Sequence, residues 1–179
     1  MKKHSLIFLL TLLFLGASCS QNTPPTTNTN TIQQTVTDNK QEIDLEKIME
    51  NVKNNFSTVK EVKIYTEEND PNNHLLGKAG YYMAGAAFWD TRTEYTEEYS
   101  EEKGKWGVQA GGSIEVYANS EDAKKRADYL QGLVGTPITD PGAFKQMDTV
   151  IIRAAYELKK SEQDEIIQFL ETQVQQYNK

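Results

Sequence analysis

The sequence predicts an α+β fold: a mainly antiparallel sheet of about four strands with helices packed on one face. Three observations carry that prediction. Between Gly111 and Val134 the apolar period changes from two, with Ile114 and Val116 alternating with Ser113, Glu115 and Tyr117, to the helical spacing of Ala123, Ala127, Leu130 and Val134. The strand-like segments alternate apolar with polar residues, which buries one face and suits antiparallel pairing. The segments run helix, strand, strand, strand, helix, strand, helix, and the portion from Gly112 onward fits half of a ferredoxin-like plait.

The chain opens with Lys2 and Lys3, then an apolar run from Leu6 to Leu15 broken only by Thr11. That is the length of a signal-peptide core and too short for a spanning helix. Leu15-Gly16-Ala17-Ser18-Cys19 resembles the bacterial lipobox, with Gly16 standing where leucine is preferred. The resemblance implies cleavage before Cys19 and a diacylglycerol on its sulfur, two chains being enough for stable anchoring. Cys19 is the only cysteine of the chain, and a lone thiol in an exported protein needs such an explanation. The expected organisation is a signal peptide over 1–18, a lipidated Cys19 with a Thr-, Asn- and Pro-rich disordered tether over 19–40, and one globular domain over 41–179.

Within the domain, Leu45, Ile48, Met49, Val52 and Phe56 mark a first amphipathic helix. Val62 and Ile64, alternating with Glu61, Lys63 and Tyr65, mark a first strand. Glu67 to Lys78 is a turn-rich loop in which Asn72 and Asn73 tolerate left-handed backbone. Gly80 to Asp90 reads as a central strand, or two short ones, with Gly80 and Gly85 permitting a bend or bulge. Thr91 to Lys105 carries five glutamates and reads as a solvated excursion. Ser120 is placed to cap the helix after Tyr117. Gly135 to Asp148 reads as irregular, held by Pro137 and Pro141. Thr149 to Ala155 is a last strand, and Ser161 to Asp164 resembles a capping box opening a helix with Ile167, Leu170, Val174 and Tyr177 in register.

The residue inventory narrows the chemistry. The formal charge is −7, and loss of Lys2 and Lys3 takes it to −9, which disfavours nucleic acid as a partner. With Cys19 lipidated and His4 in the leader, His74 is the one histidine left, too few for a closed zinc site and outside any nucleophile-elbow pattern. No phosphate-binding glycine loop is present, because Gly111-Gly112 precedes a strand. No cofactor is expected, and the loop Glu67 to His74 lacks the ladder of an EF-hand, so no metal is expected either. Carboxylate chemistry or no chemistry remains.

Candidate binding residues fall in three places. Glu68, Asn69, Asp70 and Asn72 lie in the turn-rich loop. Asp90 and Arg92 share strand parity at the end of the Gly80 to Asp90 segment, where a structural ion pair is the first explanation. Glu115, Tyr117 and Arg153, with Lys63, Tyr65 and Ile151, would show on a sheet face left open by one-sided helix packing. Among seven aromatics from Tyr81 to Trp106, Tyr95 and Tyr99 are the ones expected to be exposed.

The set Asn69-Asp70-Pro71-Asn72 with Leu76-Gly77, then Asp90 and Arg92, then Gly112, Ser113, Glu115 and Val116 before Asp122-Ala123, resembles a family of small exported lipoproteins of Gram-positive bacteria. The resemblance spans roughly Thr66 to Leu130, implies no activity, and nominates Asp70, Asp90, Arg92 and Glu115 as one polar cluster. The expected function is a non-catalytic binding or interaction module on the outside of a cell membrane, lipid-anchored, with an envelope ligand or surface protein as partner. Alternatives are a hydrolase of envelope glycans, using a carboxylate pair drawn from Glu68, Asp70 and Asp90, and an immunity or exclusion lipoprotein.

Overall fold

The computed structural model describes residues 42–96, 104–137 and 139–177. The expected signal peptide, Cys19 and tether lie outside the described residues, as do Glu97, Glu98, Tyr99, Glu101 and Glu102 of the acidic excursion. No helix among the described residues is long and apolar enough to cross a membrane.

Helix α1 (Leu45–Asn55) starts where the Asp44 side chain accepts from Lys47 N at 2.9 Å, and it buries the predicted stripe of Leu45, Ile48, Met49 and Val52. It leads into strand β1 (Val59–Ile64), which pairs antiparallel with β2 (Tyr82–Asp90), and β2 pairs antiparallel with β3 (Gly111–Tyr117). Helix α2 (Ser120–Gln131) follows, capped by Asn119 rather than Ser120, the Asn119 side chain accepting from Asp122 N at 2.9 Å. The chain then forms a hairpin of β4 (Ala143–Met147) and β5 (Val150–Ala154) and ends in α3 (Lys160–Gln175). Glu162 closes the first turn of α3 by accepting from Lys159 N at 2.9 Å, so the N-cap is Lys159 and not Ser161.

The sheet has five strands in the order β1-β2-β3-β5-β4, all neighbours antiparallel. The α+β class therefore holds, with one strand more than expected. The additional strand is β4, in the stretch read as irregular. Its connection to β5 is two residues long, with Asp148 taking the left-handed conformation (φ 54°), a conformation tight hairpins demand.

Helices cover both faces, not one. On the first face Ile114, Val150 and Ile152 pack with Ile48, Met49 and Val52 of α1 and Ile166, Leu170 and Val174 of α3. Fully burying aliphatic side chains of this size stabilises by about 1.5–3 kcal/mol each. On the second face Tyr65, Ala87, Trp89, Tyr117 and Ile151 pack with Ala123 and Leu130 of α2 and with Trp106. Since α2 and α3 lie on opposite sides of the sheet, the C-terminal half lacks the one-sided helix layer expected of a ferredoxin-like plait. The physical reason is the second parity of the strands: its aromatic residues and Ile151 are apolar enough to need a cover of their own. Lys63, expected on an open face, lies 4.3 Å from the Trp106 ring and donates to Gly104 O at 2.6 Å.

Candidate functional site

The expected polar cluster divides in two. Asp90 is fully buried at the end of β2, where its Oδ1 accepts from Arg92 Nε at 2.9 Å and its Oδ2 from Arg92 Nη2 at 2.6 Å and Thr58 Oγ1 at 3.1 Å. Burial pushes the Asp90 carboxyl up, but these hydrogen bonds and the guanidinium outweigh it and hold its pKa below the usual range. Arg92 lies 6.0 Å from the Phe56 ring and 3.5 Å from Glu165, so this ion pair belongs to the face covered by α1 and α3. It fastens the end of β2 to the helices.

Asp70, Asn72, Glu115, Tyr117 and Arg153 lie on the opposite face. An irregularity in register between Tyr82 and Ala84 re-aims Tyr82. Without it, Tyr82 would share the parity of Ala86 and Phe88; with it, Tyr82 joins the second core. The Tyr82 hydroxyl donates to Asp70 Oδ1 and accepts from Asn72 Nδ2 at 2.8 Å. Asp70 also accepts from Asn72 N and Leu76 N, each at 2.9 Å. Burial raises the Asp70 pKa; the donors from Tyr82, Asn72, Leu76 and Leu75 more than offset that and lower it overall. The loop is thus wound around a carboxylate, with left-handed backbone at Asn73 and His74 (φ 57° and 59°) instead of at Asn72 and Asn73. Asn69 serves the same loop by accepting from Thr66 N at 2.8 Å, His74 Nδ1 lies 2.7 Å from Glu67 O, and Glu68 is exposed.

Glu115 is 2% exposed, so the sheet face expected to be open is closed over it. Its Oε2 accepts from Tyr117 Oη at 2.7 Å and Arg126 Nε at 3.2 Å, and its Oε1 from Arg153 Nη1 at 3.2 Å. Burial raises its pKa, yet Arg126 and Arg153, helped by hydrogen bonds from Tyr117 and Arg126, outweigh it and lower the pKa overall. The same burial and the Glu115 charge push the Tyr117 hydroxyl well up, so it stays a donor to Glu115.

Tyr82 and Asn72 of the first network and Tyr117 and Arg126 of the second line a cavity of about 550 Å³, a volume suited to a small molecule. The loop contributes Asn72 and Leu75, and Gly80, Tyr81 and Tyr82 form one side. Tyr117 and, from α2, Lys125, Arg126 and Tyr129 form the other. Tyr81 (45% exposed) and Tyr129 (59% exposed) stand at the mouth. Lys125, Arg126 and Tyr129 were missed because α2 reads as scaffold. The available signal was Lys125-Arg126 placed one turn before Tyr129 on the polar side of the helix. Tyr95 is not a platform: it is half-buried edge-on against Trp89, ring centroids 5.1 Å apart.

Chemically, the site offers rings, two cations and fixed acceptors. Asp70 and Asp90 occupy opposite faces, and Tyr82 and Asp90 are eight residues apart along β2, about 26 Å at the usual strand rise. Asp90 is therefore not paired with Asp70 as glycan hydrolysis by that couple would require. Among the described residues every carboxylate with a displaced pKa is displaced downward, opposite to what a general acid needs. No group of three or more His, Cys, Asp or Glu among the described residues is placed to hold a metal ion. No family model, no curated protein and no solved structure matches this chain.

Proposed function

We propose that this domain is a non-catalytic binding module, held at the outer face of a cell membrane by a lipid on Cys19, and that it takes its ligand in the tyrosine-walled cavity. The observation that carries the reading is that cavity's preformed lining. Tyr82 and Tyr117 are pinned by Asp70 and Glu115, so the site needs no rearrangement to present its walls. The three buried carboxylates are each committed to structural donors, which supports recognition over proton transfer. The anchor rests on the lipobox-like stretch before Cys19 and on the tether-like composition after it.

Two measurements on the full chain test this. Cys19→Ala is expected to release the protein from membranes, and unchanged membrane retention would remove the anchor. Hydroxyl-radical footprinting in the presence of an envelope extract is expected to protect Tyr81 and Tyr129 but not Tyr156, which is 60% exposed and does not line the cavity. Equal reactivity of all three tyrosines with and without extract, or turnover of an envelope polymer by the purified chain, would sink the binding reading.

A further inference from the structure

We infer that the cavity's ligand is an anionic sugar unit, a pyranose-sized ring carrying one carboxylate or phosphate. The inference rests on the binding reading above and adds to it the chemistry of the occupant. Three features of the walls lead to it.

The first is charge. The body of the protein is acidic, with a formal charge of −7, yet the cavity's lining among the described residues holds Lys125 and Arg126 and no carboxylate. Glu115 behind the wall does not cancel them, because it is shared by two guanidiniums, those of Arg126 and Arg153. That trio keeps one net positive charge. Arg126 uses Nε and Nη2 on Glu115, which leaves Nη1 for an occupant. Lys125 touches Glu121 at 3.1 Å and Asp122 at 3.2 Å; its own side chain is 65% exposed, and an ammonium on a flexible stem can leave such contacts for an occupant. What the lining itself presents to an occupant is two cations and no carboxylate, with Glu121, Asp122 and Asp70 set back from it, and an anion suits that surface better than a neutral ligand.

The second is the direction of the hydroxyl protons. Tyr117 donates its proton to Glu115 and Tyr82 donates its own to Asp70. Tyr82 Oη already accepts from Asn72. Neither phenol therefore has a proton left for an occupant, and a ligand that brings its own hydroxyl donors suits these walls better than one that needs to accept. Inorganic phosphate serves Lys125 and Arg126 but brings few such donors and no ring. The third is the mouth. Tyr81 and Tyr129 are exposed aromatic side chains against which the C–H face of a sugar can pack, and the Arg126 guanidinium lies over the Tyr129 ring, 5.6 Å from its centre, tying the platform to the cationic wall. An acidic or phosphorylated sugar offers hydroxyl donors, an apolar ring face and a negative charge within the size of this cavity.

The test uses the full chain in detergent, titrated with glucuronate, glucose 6-phosphate, glucose and inorganic phosphate while the tyrosine resonances are followed by NMR. At least one of the two anionic sugars is expected to bind with a Kd below about 1 mM and to shift Tyr117 and Tyr129. Glucose and inorganic phosphate are expected to bind at least about tenfold more weakly. Raising the salt from 0.05 to 0.5 M is expected to weaken the anionic sugar. Lys125→Ala and Tyr129→Ala lie on the exposed side of α2, leave the core intact, and are each expected to weaken it about tenfold. Binding of methyl glucuronide as tightly as glucuronate identifies a chain-linked sugar as the source, and rejection of the blocked form identifies a free one. The class is overturned if neither anionic sugar binds, if glucose binds as well as glucuronate, or if both substitutions leave binding unchanged. Protection of Tyr81 and Tyr129 by envelope extract without binding of either anionic sugar leaves the cavity as the site and removes this ligand class.

Discussion

Tyr117 gives its phenolic proton to Glu115, two residues back on the same strand, across 2.7 Å. Both side chains project from one face of β3, since residues two apart in a strand do, and both are covered by α2. Glu115 is thereby held ionised in the interior by one hydroxyl and two guanidiniums. The arrangement links a buried charge to the wall of a cavity, because Tyr117 and Arg126 belong to both.

The first consequence is a dependence of stability on pH with a defined sign. The pKa values of Glu115, Asp70 and Asp90 are all lower in the folded protein than in the free side chains. Each contributes stability that is present above the unfolded carboxylate range, about pH 4, and is lost as pH falls through the folded value. The thermal midpoint is expected to be flat from pH 7 to about 5 and to fall below about 4. Glu115→Gln leaves Arg126 and Arg153 facing a neutral amide and is expected to cost about 3–5 kcal/mol at pH 7, with a shallower acid limb than the parent. Urea denaturation at pH 7 and pH 4 reads both effects, and a variant as stable as the parent at pH 7 would refute the account.

Asp70 and Tyr82 allow a graded comparison. Tyr82→Phe removes one donor and leaves Asp70 its backbone partners at Asn72 and Leu76, so about 1.5–3 kcal/mol is expected for the lost charged hydrogen bond. Asp70→Asn removes the charge from every one of those bonds at once and is expected to cost more than Tyr82→Phe. It also loosens Asn72 and Leu75, which line the cavity, so it is expected to shift their amide resonances where Tyr82→Phe shifts them less. Equal destabilisation by the two substitutions would mean that the hydroxyl, and not the loop amides, carries the interaction.

How far the sequence foretold this molecule depended on what decides each element. The α1 stripe and the alternation in β3 were legible because a single period governs burial there. Strand β4 was not, and with it the hairpin to the expected β5, because Pro137, Pro141 and Gly142 dominate the local pattern and the short β4 is half-buried without strict alternation. The second helix layer was legible only in part. Ile151 and the strand aromatics were visible, but whether they meet solvent or α2 depends on tertiary placement. The same limit applied to the site. Glu115, Tyr117 and Asp70 were nominated as polar residues in strand and loop, whereas their union at one cavity depends on the Tyr82 irregularity, and the Lys125-Arg126 wall depends on which side of the sheet α2 crosses.

Gly112 joins the two levels, since it is a glycine of the Gly-Ser-Ile-Glu-Val stretch whose reason is packing. It sits in β3 opposite Phe88 on one side and Ala154 on the other. A Cβ at Gly112 would stand 2.4 Å from Phe88 Cζ and 2.7 Å from the Arg153 carbonyl oxygen, closer than carbon atoms tolerate. Phe88 is fully buried and has no room to swing, and the Arg153 oxygen is part of the β5 backbone, so neither neighbour yields cheaply. Gly112→Ala is therefore expected to destabilise by about 1–3 kcal/mol or more through overpacking. Gly132 supplies the control: it ends α2 at φ −67° and ψ −16°, ordinary right-handed backbone, and an added Cβ meets nothing closer than 3.4 Å. Gly132→Ala is expected to be neutral or to stabilise by about 0.4–1 kcal/mol through the reduced entropy of the unfolded chain. Chemical denaturation of the two variants side by side decides the matter. If Gly112→Ala folds as stably as Gly132→Ala, the close approach of β3 to Phe88 and to β5 is not what selects glycine there.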